Sequence, residues 1–309
     1  MPSLTEPFLA VLLVLVSCAS LLCDCLVIHV IRVAPRMRST VNRLVQNMAG
    51  ADVVMVLVIL PKFINVIFNN GMWAVEYWIA KVCCILSNMV VTQAKFVSMT
   101  TLLAMATDRY FAVRRPLRYR VLSHIFIKCS LIGSWVYSLL SLYCIFGYDI
   151  ISDGRGNQRC SVHPDRRTLK ASFNFFTFWS NLFAMATLYF LTGYHLWTRK
   201  PPGEHDRRRV EAVVRSAVHV TKMSLAILAI FLCSWGGTVV SAIALLDNSQ
   251  VMDREKTRVL VVSVYILIQS NGFFNFLVYL RYLKGFRSHV VRLLTIRRRI
   301  QVHPMSRAL

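Results

Sequence analysis

The sequence predicts an all-α membrane protein in which seven helices each cross the bilayer and pack as one bundle. Three observations predict it. The 309 residues are 56% hydrophobic and only 16% charged, with a mean hydropathy of +0.53, whereas a soluble domain needs far more charge to cover its surface. A window of roughly 20 apolar residues, the length that spans hydrocarbon, finds stretches at 8–31, 44–68, 82–105, 127–146, 173–197, 223–246 and 259–282. Finally, the formal charge of +22 is distributed with a sidedness that fits seven crossings.

That sidedness fixes the orientation. Arg36, Arg38 and Arg43 follow the first stretch, Arg114, Arg115, Arg118 and Arg120 the third, Arg207, Arg208 and Arg209 the fifth, and Arg297, Arg298 and Arg299 lie in the tail. The alternate loops offset their bases with Asp149, Asp153, Asp165, Asp247, Asp253 and Glu255. Basic loops stay in the cytoplasm, so the N-terminus is expected outside and the tail inside, in a multi-pass protein of the plasma membrane. The basic inner face suits anionic inner-leaflet lipid. Charge split this way by a membrane argues against nucleic acid as a partner.

Little chain remains between the stretches, which leaves one domain over residues 1–309. Residues 1–7 are expected outside, 8–283 in the bundle and 284–309 in the cytoplasm. The first seven residues lack the n-region and cleavage site of a signal peptide, so the first helix is expected to serve as its own signal anchor. No metal-ligand cluster, phosphate loop or nucleophile–base pair is visible, and no enzyme activity is expected.

At the inner end of the third stretch stands Asp108-Arg109-Tyr110, followed by Val113, Pro116 and Leu117. Charged groups at a membrane boundary are costly unless used. The spacing of this set resembles the end of the third helix and the second inner loop of rhodopsin-like G-protein-coupled receptors. The resemblance implies that Arg109 is the hinge of a signalling switch, facing a heterotrimeric G protein together with Asp108, Tyr110, Tyr189, Asn275 and Tyr279. It also implies a short amphipathic helix on the inner leaflet around Phe286 and Arg287.

Asp52, in the run Asn47–Asp52, would be a buried carboxylate, and such a group must pair, protonate or bind a cation. In the family this motif marks an allosteric sodium site, and Ser98, Asn271 and Asn275 match its companions; oxygen donors suit a hard cation. Asp24 stands where the family has asparagine. Lys95 lies one turn outward of Ser98, on the same face. Sodium could therefore neutralise Asp52, or the Lys95 ammonium could neutralise Asp52 or Asp24 and replace sodium, and both readings stay open. Apart from sodium, no cofactor is expected.

Of the nine cysteines, Cys84 near the outer end of the third stretch and Cys160 in the second outer loop face an oxidising compartment. The resemblance implies a bridge between them, and adjacent Cys83 leaves the partner ambiguous by one residue. Phe231 and Trp235 share a helix face and match the family's aromatic toggle. The family's prolines are replaced by Asn181, Gly237 and Phe276, so Pro61 is the one proline left inside a stretch.

Val91 sits where amine receptors carry aspartate, and Gln269 where opsins carry lysine, which removes an amine counter-ion and a retinal Schiff base. The pocket inventory is basic and aromatic, with Lys62, Lys95 and Trp235, and Lys62 alone could snorkel outward. Inner-loop segments 35–43 and 218–223 look most like those of peptide receptors, so an extracellular peptide is the expected ligand. The rival expectations are an ion or proton translocator using Asp24, Asp52 and Lys95, and a decoy that no longer signals. Where many family members carry an acid that restrains the arginine, this chain has Ala217, with Glu211 nearly two turns away; either ligand-free activity follows, or Thr221 or Asp108 restrains Arg109 in its place, and both readings stay open.

Overall fold

The computed structural model describes residues 5–34, 37, 39–69, 72–143, 147–152, 156–162, 164–198, 207–246 and 254–302. No water in hydrocarbon can satisfy a peptide group, so an apolar crossing must close its hydrogen bonds on itself, as a helix does. The seven stretches fall in α1 (Thr5–Val33), α2 (Thr40–Phe68), α3 (Tyr77–Arg114), α4 (Pro116–Ser138), α5 (Arg167–Trp197), α6 (Arg207–Leu246) and α7 (Arg254–Tyr282), and α8 (Lys284–Val302) follows. Six of these are long and apolar enough to cross a membrane over Phe8–Val33, Thr40–Asn65, Tyr77–Arg114, Thr168–Trp197, Val218–Thr238 and Val259–Tyr282. The first half of α4 carries Arg118, Arg120, His124 and Lys128; lying against α2 and α3, α4 completes a bundle of seven.

The helices outrun the apolar stretches. With 38 residues, α3 is about 57 Å long at 1.5 Å per residue, against a hydrocarbon core of about 30 Å. The helix is therefore longer than one crossing needs, and Asp108 and Arg109 lie in its last two turns. The fourth stretch, expected at 127–146, begins its helix at Pro116, where a proline at the first position loses no hydrogen bond and already has helical φ. That helix ends at Ser138 and tightens into a 3-10 turn, Leu139–Tyr143; residues 144–146 lie outside the described residues.

At the core sits α3, packed against α2, α4, α5 and α6, while α1 packs on α2 and α7. Phe96, Leu102 and Met105 of α3, Met55 of α2 and Phe231 of α6 are fully buried. Phe183, Phe190 and Trp197 of α5 point outward, as a helix in lipid requires. Phe286 anchors α8 beneath the bundle, its ring 5.6 Å from Phe276 and 6.2 Å from Tyr279.

One feature was absent from the expectation. The outer loops form a small antiparallel sheet of β1 (Met72–Trp73), β2 (Tyr148–Ser152) and β3 (Gln158–Val162), in the order β1-β3-β2, with Ile150 paired to Cys160. Gly156, at φ +83°, supplies the left-handed residue at the β2–β3 turn. The sheet lies over the outer end of α3.

Candidate functional site

At the inner end, Asp108 is completely buried and its carboxylate is gripped from two sides. Arg109 donates through Nε at 3.0 Å and also through Nη2 to Oδ2, and Tyr119 of α4 donates its hydroxyl to Oδ1. The Tyr119 hydroxyl also lies 3.4 Å from Thr40 Oγ1 at the start of α2, so Asp108 ties α3, α4 and α2 together. Burial and the Asp108 charge push the Tyr119 phenol up to about 12, and it stays a donor at physiological pH. Arg114 donates to the Tyr110 hydroxyl and stacks 5.6 Å from its ring, while the other side of Tyr110 meets His195 of α5 at 5.9 Å.

The other inner residues singled out in the sequence are placed unevenly. Tyr189 on α5 and Tyr279 on α7 are buried, and neither hydrogen-bonds Arg109 among the described residues. Pro116 and Leu117 open α4, and their side chains, like those of Ala217 and Glu211, lie outside the described residues. On α6, His219 Nε2 lies 2.8 Å from the Tyr282 carbonyl and its ring 5.3 Å from the Tyr282 ring. A side chain that reaches the carbonyls of a helix C-terminus satisfies groups the helix cannot, so His219 ties the inner end of α6 to α7. The sequence reading passed over this residue.

Halfway through the bundle, Asp52 accepts a 3.0 Å hydrogen bond from Asn271 Nδ2. Asp52, Ser98, Asn271 and Asn275 are all buried, and among the described residues Asp52 Oδ1, Ser98 Oγ, Asn271 Oδ1 and Asn275 Oδ1 meet no hydrogen-bond partner. Asn47, the first residue of the motif, points elsewhere: it donates to Thr101 and Ser134 and accepts from Trp135 Nε1 at 3.0 Å, clamping α2 to α3 and α4. Lys95 donates to Asn174 of α5 at 2.8 Å.

The seam between α1 and α7 is the part of the site that sequence reasoning missed. Ser20 donates to the Gln269 carbonyl and lies 3.3 Å from the Phe273 amide, which donates to it. These are the two groups that one helical hydrogen bond of α7 would join. A side chain inserted into the ladder is an established way to bend a helix without proline, and it acts three residues before Phe276. One turn further along α1, the Asp24 carboxylate packs against Gly272 so closely that a Cβ there would overlap it.

The outer end is closed by the Cys84–Cys160 disulfide, which fastens β3 to α3; Cys83 remains a free thiol. Asn88, one turn below Cys84, donates to the Cys84 carbonyl at 2.8 Å and approaches Cys160 Sγ at 3.5 Å. Lys62 turns inward rather than snorkelling, donating to Asn88 Oδ1 at 2.8 Å. Lys170 of α5 donates to the Tyr148 hydroxyl of β2. Below them, Trp235 lies 6.1 Å from Phe231, which stacks on Phe178, and Gln269 is buried with both amide atoms unpartnered. Val91 is half-buried beside this core. Losing a structural disulfide typically costs about 2–5 kcal/mol. Cys160→Ser is therefore expected to lower the thermal unfolding midpoint of the purified protein, and Cys83→Ser to leave it unchanged.

A seven-helix bundle with a disulfide-fastened outer loop and a buried acid–arginine pair at its inner mouth defines a membrane receptor class. The chain belongs to the 7 transmembrane receptor (rhodopsin family), whose family model matches residues 24–279. It is similar to the "Tachykinin-like peptides receptor 86C" of Drosophila melanogaster, with 27% identity over 84% of this chain and 53% of that protein. It is also similar to the "RYamide receptor" of the same organism, with 25% identity over 68% of this chain and 46% of the other. A third relative is the "Substance-K receptor" of Bos taurus, with 28% identity over 64% of this chain and 51% of that receptor. The chain spans about half the length of each.

Proposed function

We propose that this protein is a plasma-membrane receptor, N-terminus outside, that binds an extracellular peptide and activates a heterotrimeric G protein. The observation that carries this reading is the Asp108–Arg109–Tyr119 cluster at the inner mouth of a chain whose relatives are named for peptides. The disulfide fastens the loop sheet to α3, and the inward-turned Lys62, with Lys95 and Gln269, supplies polar groups to the bundle interior. The basic residues Arg287 and Arg292 of α8 offer contacts to anionic inner-leaflet lipid. The unpartnered oxygens around Asp52 suit a small hard cation, sodium being the one the resemblance implies. A G-protein activation panel, run with and without peptide and carboxylate ligand libraries, tests the reading. Activation by a peptide supports it, and silence across all G-protein classes with the protein at the surface refutes it.

Basal activity follows from the same geometry. Arg109 is held by its neighbour Asp108, and position 217 offers α6 no acid to hold it. Ligand-free nucleotide exchange above background is expected, with Ala217→Glu lowering it. His219→Phe removes the tie to Tyr282; one hydrogen bond is worth about 1 kcal/mol, so basal exchange is expected to rise up to about fivefold. Exchange at background in all three proteins would refute this.

A further inference from the structure

Asp24 gives the cation cluster a second carboxylate. It is 2% exposed, as is Asp52. Asp24 is pressed against the backbone of α7 at Gly272, the residue next to Asn271, whose amide binds Asp52. Among the described residues Asp24 Oδ2 and Asp52 Oδ1 meet no protein donor, and neither does Asn271 Oδ1, on the very amide that touches Asp52. Three unpartnered buried oxygens from α1, α2 and α7 thus share one region. Asn275, one turn along the same face of α7, and Ser98 of α3 add two more.

The donors decide the ligand chemistry. All five are oxygens, which select hard cations over soft ones. Two carboxylates withdrawn from water must be compensated. With both carboxylates ionised, a monovalent ion leaves one negative charge in the hydrocarbon zone and a divalent ion leaves none, whereas a monovalent ion balances the pair only if one carboxylate holds a proton. We propose that Asp24 and Asp52, with the side-chain carbonyl of Asn271, form a divalent-cation site between α1, α2 and α7, where the family's single acid implies a monovalent ion. The proposal narrows the cation reading above and does not depend on G-protein coupling.

The probe is Mn2+, titrated by electron paramagnetic resonance into the full-length protein in lipid nanodiscs. One ion per protein is expected, with a Kd of about 0.1–1 mM, the range of weak oxygen-ligand sites. Ca2+ or Mg2+ should displace it at comparable concentration, and Na+ should fail to do so even in large excess. Asp24→Asn keeps the shape of the side chain against Gly272 and is expected to weaken Mn2+ binding at least about tenfold, the discrimination that ligand charge provides. The ion-free melting temperature of the variant verifies its fold, and Asn271→Ala supplies a second variant should Asp24→Asn misfold. Three results overturn the proposal: no Mn2+ bound below about 10 mM, displacement by equimolar Na+, or unaltered binding in the folded variants. A chain that activates no G protein yet binds Mn2+ as described would refute the receptor reading and leave this site standing.

Discussion

Arg109→Ala is expected to abolish agonist-driven nucleotide exchange while surface expression is kept. The guanidinium is 13% exposed and Asp108 is fully buried, so of this pair the arginine is the one a cytoplasmic partner can reach. It stands on the last turns of α3, and its hold on Asp108 is partly solvent-screened. A docking G protein that offers the guanidinium new partners can replace that hold. Tyr119 still donates to Asp108 when the arginine is gone, which limits but does not cancel the cost of an uncompensated buried carboxylate. Surface expression reads what remains of the fold, and the loss beyond it should fall on coupling. Arg109→Lys keeps the charge but not the planar fork and is expected to retain a fraction of the exchange. Receptor-catalysed nucleotide exchange, normalised to receptor at the surface, checks both. Undiminished exchange in Arg109→Ala removes the main support for the receptor reading.

How much of this was legible in the sequence depended on distance along the chain. The spans were readable because transfer into hydrocarbon is large and sums over a window of residues. The Asp108–Arg109 pair was readable because its members are neighbours, and the Phe231–Trp235 pair because four residues make one helical turn. Tyr119's grip on Asp108 was not, since it needs the chain to turn at Arg115 and restart a helix at Pro116. Asn47 shows the same limit. It opens the run that ends at Asp52, and nothing in that run showed that its amide serves Thr101, Ser134 and Trp135. Which face of a membrane helix points inward is weakly written, because lipid tails are as apolar as a leucine core. Contacts such as Ser20 with Gln269, 249 residues apart, therefore escape any local reading. The outer sheet escaped for another reason. Its short strands are fastened by one disulfide, and no alternating pattern announces them.

Gly272→Ala is expected to destabilise the protein although, in an isolated helix, it would do the opposite. Glycine in a helix interior costs about 1 kcal/mol relative to alanine, so the backbone alone favours the change. The packing decides the sign. A Cβ on Gly272 would come within 2.8 Å of Asp24 Cγ and nearer still to Oδ2, and Asp24 is buried between α1 and α7 with nowhere to retreat. Either Asp24 leaves its rotamer or α1 moves off α7. Overpacking of this kind typically costs about 1–3 kcal/mol, and a shift of α1 would also pull Ser20 from the two α7 backbone groups it bridges. By contrast, a Cβ on Gly236 meets nothing within 4 Å and one on Gly237 meets only Val264 and Leu267 at ordinary contact distances, so Gly236→Ala serves as a helical control expected to be neutral or mildly stabilising. The decisive measurement is a double-mutant cycle. Asp24→Ala alone vacates the carboxylate's place, and in that background Gly272→Ala should cost little, with a coupling of about 0.5–3 kcal/mol, as for residues in contact. Thermal unfolding of the four proteins gives the coupling, and strictly additive effects would show that Asp24 and Gly272 are not held against one another.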